Sequence, residues 1–139
     1  MGPPDAEPGL VFRYDYVWGR EARHGREAGK DRPACIAIAT DSDIEPQLVI
    51  ILPITHSKPT ARDAGVEIPP LVRRKLGLDD EPCWVIVSDA NIDDWPNAGI
   101  SPLPGSARAF AYGYLPDLLF EKIKIEFLKH YDARRAVRR

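Results

Sequence analysis

The sequence predicts a mainly β protein with helices (α+β), built as a small, strongly bent barrel of mostly antiparallel strands with a C-terminal helix packed on it. Three observations predict it. Short apolar runs recur between turn-forming stretches, the one internal helical segment is brief, and a long amphipathic stretch with helical period lies near the end of the chain.

The elements follow in order. "GLVFRYDYVW" alternates, with Leu10, Phe12, Tyr14, Tyr16 and Trp18 on one face and Arg13 and Asp15 on the other, which predicts a half-buried strand. "GREARHGREAGKD" is rich in glycine and charge and predicts a long exposed loop. "RPACIAIA" predicts a buried strand opening on a proline, "TDSDIEPQ" a turn, and "LVIILPITH" the next strand, so these two strands form an antiparallel hairpin. "VEIPPLVRRKLGL" reads as a short strand and a short helix, with Pro70 at its first position and Gly77 just past its end. That helix would cover one end of the barrel. "CWVIVSDAN" predicts a buried strand breaking at Asp89, Ala90 and Asn91, and "DDWPNAGISPLPGSA" an irregular loop. "RAFAYGYL" alternates through Phe110, Tyr112 and Tyr114. In "PDLLFEKIKIEFLKHYDARR" Pro116 opens a helix whose buried stripe is Leu119, Ile123 and Phe127, widened by Phe120 and Leu128. The organisation expected is a flexible arm over 1–8, one domain over 9–131 and a basic tail over 132–139.

Composition narrows the function. At 139 residues, 44% hydrophobic and 29% charged, the chain fits one globular domain with a core of its own. No apolar run approaches the ~20 residues of a membrane span, and "MGPPDAEPG" lacks the basic and apolar regions of a signal peptide. A cytoplasmic protein without membrane contact is therefore expected. Cys35 and Cys83 sit in apolar runs and read as reduced, buried residues. Neither they nor His24, His56 and His130 show metal-ligand spacing, and no glycine-rich phosphate loop occurs, so no metal or cofactor is expected. The net charge of −2 argues against wholesale nucleic-acid binding, but its distribution is uneven. Arg13, Arg20, Arg23, Arg26, Lys30 and Arg32 make the segment before the second strand basic, whereas 79–94 carries acids alone. Local positive charge beside a polar strand end is what phosphate binding needs.

Four short patterns in register carry a resemblance: Arg32-Pro33, Pro53-Ile54-Thr55-His56, Asp89, and Gly113-Tyr114-Leu115. Over residues 9 to 130 their order and spacing resemble the MazF/PemK family of toxin endoribonucleases from toxin–antitoxin pairs. The resemblance implies an SH3-like barrel, a homodimer, metal-independent cleavage of single-stranded RNA to 2′,3′-cyclic phosphate and 5′-OH ends, and neutralisation by an antitoxin protein. It also implies that Asp89 acts as a base and that His24 matches a loop histidine of the PemK branch. Val87 stands where that branch carries an arginine, and Ala90-Asn91-Ile92-Asp93 replaces a more basic stretch.

The residues support the same chemistry without the family. Metal-free RNA cleavage needs a base for the 2′-OH, cations or donors for the charged phosphorane, and an acid for the leaving oxygen. In an antiparallel hairpin the start of one strand lies beside the end of its neighbour, so Arg32, Thr55 and His56 converge. Arg32 is a planar, permanently charged phosphate ligand, Thr55 a donor, and His56 a proton-exchanging group. Alternation sends Thr55 and His56 to opposite faces unless the strand bends there. The candidate catalytic set is Arg32, Thr55, His56 and Asp89. The candidate RNA-binding set is Arg20, Arg23, His24, Arg26, Lys30, Ser57 and Lys58. Other roles stay open: an ion pair for Arg32, a turn for Asp89, a structural imidazole for His56, and for Trp95 either base stacking or loop anchoring. The loop from Gly19 to Arg32 is also the expected seat of an acidic antitoxin segment. The competing reading is a non-catalytic barrel that binds a protein, as gyrase-poisoning toxins do, or a nucleic acid.

Overall fold

The chain is described by a computed structural model covering residues 3–23, 25, 30–60, 63–106, 109–132 and 136–139, with Arg23 described by its backbone alone. Strand β1 (Leu10–Tyr16) leads to a one-turn helix α1 (Gly19–Arg23), then β2 (Lys30–Ala39) and β3 (Leu48–Thr55). Next come β4 (Gly65–Glu67), α2 (Pro70–Leu76), β5 (Trp84–Ile86), β6 (Asn91–Asp94) and β7 (Ile100–Ser101). The chain continues through β8 (Ala111–Tyr114), α3 (Asp117–His130) and β9 (Val137–Arg138).

The predicted hairpin is present, β2 pairing antiparallel with β3 from Ala39 opposite Val49 to Ala34 opposite Pro53. Both strands are buried on both faces, which is why they read as continuous apolar runs. One face sends Val11, Cys35, Leu52 and Ile54 into a core shared with Leu76 of α2 and with Ile123 and Phe127 of α3. The other sends Leu10, Phe12, Tyr14, Tyr16 and Trp18 of the first strand region, with Ile36 and Ile51, into an aromatic core closed by Ile86. Both cysteines lie free and buried in the first core, where burial pushes the Cys35 thiol up to about 12 and the Cys83 thiol up to about 11.

The barrel expectation needs correction. Strand order runs β4–β5–β3–β2–β1–β7, with β6 also on β3 and β8 also on β1. Among the described residues no backbone pairing joins the β4/β6 limb to the β7/β8 limb, so the sheet is open. Side chains bridge where strands do not. The Tyr14 hydroxyl donates to Asp93 Oδ2 at 2.7 Å, and the Tyr16 hydroxyl to Asp89 Oδ1 at 2.5 Å. Asn91, wholly buried, accepts the Val17 N–H at 3.0 Å and donates to the Val17 carbonyl at 2.7 Å.

Several local expectations are met. Pro70 opens α2, and Gly77 caps it in the left-handed region at φ 71°, its N–H reaching the carbonyls of Arg73 and Arg74. A Cβ on Gly113 would stand 3.1 Å from the Leu76 side chain, a tight contact, and its φ of 137° is one that L side chains rarely adopt. Pro116 precedes α3, whose buried side chains are Ile123 and Phe127. Other expectations are overturned. Leu128 is exposed rather than part of the helix stripe. The exposed loop after Trp18 begins instead as α1, with Glu21 accepting the Trp18 N–H at 3.2 Å. The second strand starts at Lys30, placing Pro33 inside it, just beyond the last pairing with β3. The stretch read as irregular contains the end of β6, Asp93 and Asp94, and the whole of β7. The end of the segment read as a basic tail is built in: β9 pairs in parallel with β6, and the Arg139 guanidinium donates to the Asp15 carbonyl, the Tyr14 hydroxyl and Asn91 Oδ1.

Candidate functional site

The site grows from the hairpin register. Ala34 lies opposite Pro53. Continuing that register by two residues brings Arg32 level with Thr55, at the point where β3 leaves β2 and pairs with β5 through Thr55 and Trp84. The two strands part there, and a cleft of about 450 Å³ opens between them. Its walls include Arg20, Arg32, Thr55, Ser57, Lys58 and Asp89, six of the residues singled out by sequence. Trp18, Thr60 and Asp63 also face it.

Each side chain is held by a local cause. The Ser57 N–H donates to Thr55 Oγ1 at 3.1 Å, which fixes the hydroxyl oxygen at the strand end while its own O–H remains to donate. Arg32 lies over the Trp18 ring, its guanidinium carbon 5.4 Å from the ring centroid, and Arg20 lies over the same ring at 4.8 Å. Burial lowers the Arg32 pKa, an effect that the charge of Glu21 opposes. Its Nε is buried with no hydrogen-bond partner among the described residues, an orphan donor of the kind that costs stability unless a ligand satisfies it.

Asp89 sits at the turn between β5 and β6, with both oxygens engaged. Tyr16 donates to one, and the Gly19 N–H donates to the other at 3.2 Å. Burial nonetheless raises the Asp89 pKa, outweighing those two bonds, and the nearby charge of Asp63 adds to it. Tyr16 itself is held well above the usual tyrosine range by burial and by Asp89, so its proton stays on the hydroxyl. The result is a half-buried carboxylate with enhanced proton affinity beside two guanidiniums.

His56 stands apart. Its Nδ1 bonds the Pro82 carbonyl at 3.0 Å and its Nε2 bonds Asp79 Oδ2 at 2.9 Å. It faces a second cleft, of about 530 Å³, which shares Arg32 and Thr55 with the first. Thr55 and His56 thus share the second cleft, where strict alternation would part them, and the first cleft gains Ser57 and Lys58 but not His56. Lys30 also lines the second cleft. Arg23 belongs to α1, but its side chain, with His24 and Arg26, lies outside the described residues. Trp95 is a loop anchor, its indole N–H donating to the Pro4 carbonyl at 3.0 Å and its ring packing edge-on to Phe12.

Sequence reading missed three residues at this site. Trp18 belongs to the aromatic core, as alternation in the first strand expects, and its ring also faces the cleft, a second role that its place at a strand end beside the basic segment signals. Tyr16, the partner of Asp89, gave none, because an alternating aromatic in a strand reads as packing. Asp63 lies in no pattern at all. Among the described residues no helix is long and apolar enough to cross a membrane, and no three His, Cys, Asp or Glu side chains group to hold a metal ion. No protein-family model matches the chain, and no curated protein matches it significantly.

Proposed function

We propose that this protein is a metal-independent endoribonuclease acting on single-stranded RNA, the toxin of a toxin–antitoxin pair, on an opened variant of the SH3-like plan. The observation that supports it is the convergence on one cleft of Arg32, Thr55, Ser57, Lys58, Arg20 and Asp89, drawn from separate segments. A scissile phosphate between Arg32 and Thr55 receives a guanidinium and a hydroxyl on its non-bridging oxygens. Asp89 takes the 2′-OH proton, and the freed oxygen attacks phosphorus. The bond to the 5′ oxygen breaks, and that oxygen takes a proton at the open rim, where Lys58 and solvent stand. The products are a 2′,3′-cyclic phosphate and a 5′-OH. A homodimer would lengthen the RNA-binding wall, and an acidic antitoxin segment would compete for the same cations.

The test is cleavage of single-stranded RNA by purified protein in EDTA. Cyclic-phosphate ends are expected, and activity that requires added divalent metal would refute the mechanism.

One observation favours a second reading, a binder that does not cut. Both Asp89 oxygens are already engaged, and Val87 is buried in the core and supplies no cation. In that case RNA, or a protein surface rich in carboxylates, would bind at Arg32 without turnover.

A further inference from the structure

We infer that the second cleft is a nucleobase subsite that prefers a base bearing an exocyclic amine; this rests on the ribonuclease reading above. The two clefts meet at Arg32 and Thr55. A phosphate held by these two residues therefore has a chain exit into each cleft, and the nucleoside on one side enters the second. At about 530 Å³ that cleft is in the size range of small-ligand pockets. Its uncharged lining suits a base, with the cations Arg13 and Lys30 beside it. Leu76, Leu78 and Leu103 give an apolar floor, and Tyr112 supplies an aromatic wall. The Arg13 guanidinium reaches the Tyr112 hydroxyl at 3.5 Å and so helps to hold that ring. Stacking on such a wall binds any base.

Discrimination comes from the acceptors. The carboxylates of Asp31 and Asp79 both lie at this cleft, and both side chains are exposed. Asp31 Oδ2 accepts from the Ser101 hydroxyl, and the Asp79 oxygens accept from His56 and from the Glu81 N–H. A carboxylate has about four lone-pair positions, so each retains capacity for a further donor. Adenine, cytosine and guanine offer an amino group there, whereas uracil offers a single N3–H flanked by two carbonyl oxygens, which the carboxylates repel. Lys30 and Arg13 on the same cleft then meet the next phosphate along the chain.

The experiment measures binding of labelled single-stranded RNA pentamers by fluorescence anisotropy, with each position in turn set to adenine, cytosine, uracil or an abasic residue. One position should favour an amine-bearing base over uracil and over the abasic residue by roughly 10-fold. Tyr112→Ala should remove the difference between base and abasic residue there, and Asp31→Asn with Asp79→Asn the difference between amine-bearing base and uracil. Arg32→Ala should weaken every pentamer alike. Should Tyr112→Ala fail to fold, the exposed carboxylate pair still decides the question. Binding that depends on Arg32 but discriminates at no position, or discrimination that survives in the variants, overturns the subsite and spares the phosphate site. Absence of RNA binding by the parent protein overturns both.

Discussion

The two clefts on either side of Arg32 and Thr55 carry similar charged groups, three cations and two carboxylates each, but differ in their uncharged walls. The first gathers Arg20, Arg32 and Lys58 around Trp18, with a half-buried Asp89. The second has a leucine floor, a tyrosine wall and a carboxylate–imidazole rim. One is suited to developing charge on a phosphate, the other to a planar, mostly apolar group. The difference teaches how one strand end can serve two tasks. Ile54 and His56 line the second cleft, Ser57 and Lys58 the first, and Thr55 both, so on the proposed reading the two tasks divide at the strand end.

If the first cleft alone does the chemistry, the largest effect belongs to Asp89→Asn. Loss of a general base commonly costs about 10²- to 10⁴-fold in rate. The amide can still accept from the Gly19 N–H and donate to a rotated Tyr16 hydroxyl, so the fold should survive while cleavage fails. The pH profile gives the sign. Burial raises the Asp89 pKa, so activity should fall as pH drops through a value above the ordinary aspartate range, and Asp89→Asn should lack that limb. Stability runs the other way. A carboxyl with a raised folded pKa contributes stability that is complete below its unfolded pKa and lost as pH rises through the folded one. Chemical unfolding of parent and variant across that window should show the slope in the parent only.

Next in size is the contrast between Arg32→Ala and Arg13→Ala. Removing one stabilising donor from a site of this kind is commonly worth about 10²- to 10³-fold in kcat. Arg13 lies on the second cleft alone and should change KM several-fold while leaving kcat near the parent value. Equal losses from both substitutions in single-turnover assays would merge the two clefts into one site.

A structural break tests how the first cleft is held. Asn91→Ala leaves the Val17 N–H and carbonyl without their side-chain partner inside the protein, which should cost roughly 2–4 kcal/mol by denaturant unfolding. A loss near zero would show that Arg139 and the neighbouring tyrosine bonds carry that joint unaided.

What the sequence revealed follows from how far each signal reaches. Alternation in "GLVFRYDYVW" and the four-residue recurrence of Leu119, Ile123 and Phe127 are local, and both placed their elements well. The register argument that joined Arg32 to Thr55 needed only a hairpin. The open sheet, by contrast, depends on pairings between distant segments. Strand β6 was hidden because "NIDD" is polar and reads as a turn, yet Asn91 and Asp93 are buried there by bonds to Val17 and Tyr14. Arg139 likewise reads as tail charge until Asp15 and Tyr14 are placed beside it. The second cleft draws on α2, residues 103–104 and Tyr112, and no contiguous pattern announces such a set.

The smallest expected effect is at His56, and it sharpens the comparison most. Its two ring nitrogens contact the Pro82 carbonyl and the Asp79 carboxylate, both acceptors, so the ring is spent on holding the loop at 79–82 against the end of β3. Its contact with Asp79 is largely exposed, and even charged pairs so exposed contribute at most about 1 kcal/mol. His56→Gln should therefore lower stability only slightly and leave kcat within a few-fold of the parent. Its mark should be in recognition, as a weaker preference at the base position that the second cleft reads. A kcat loss approaching that of Asp89→Asn would mean that the imidazole reaches the reacting atoms, and the division between a chemical cleft and a recognition cleft would fail. Steady-state kinetics on two pentamers, differing only at that base, measures both outcomes in one experiment.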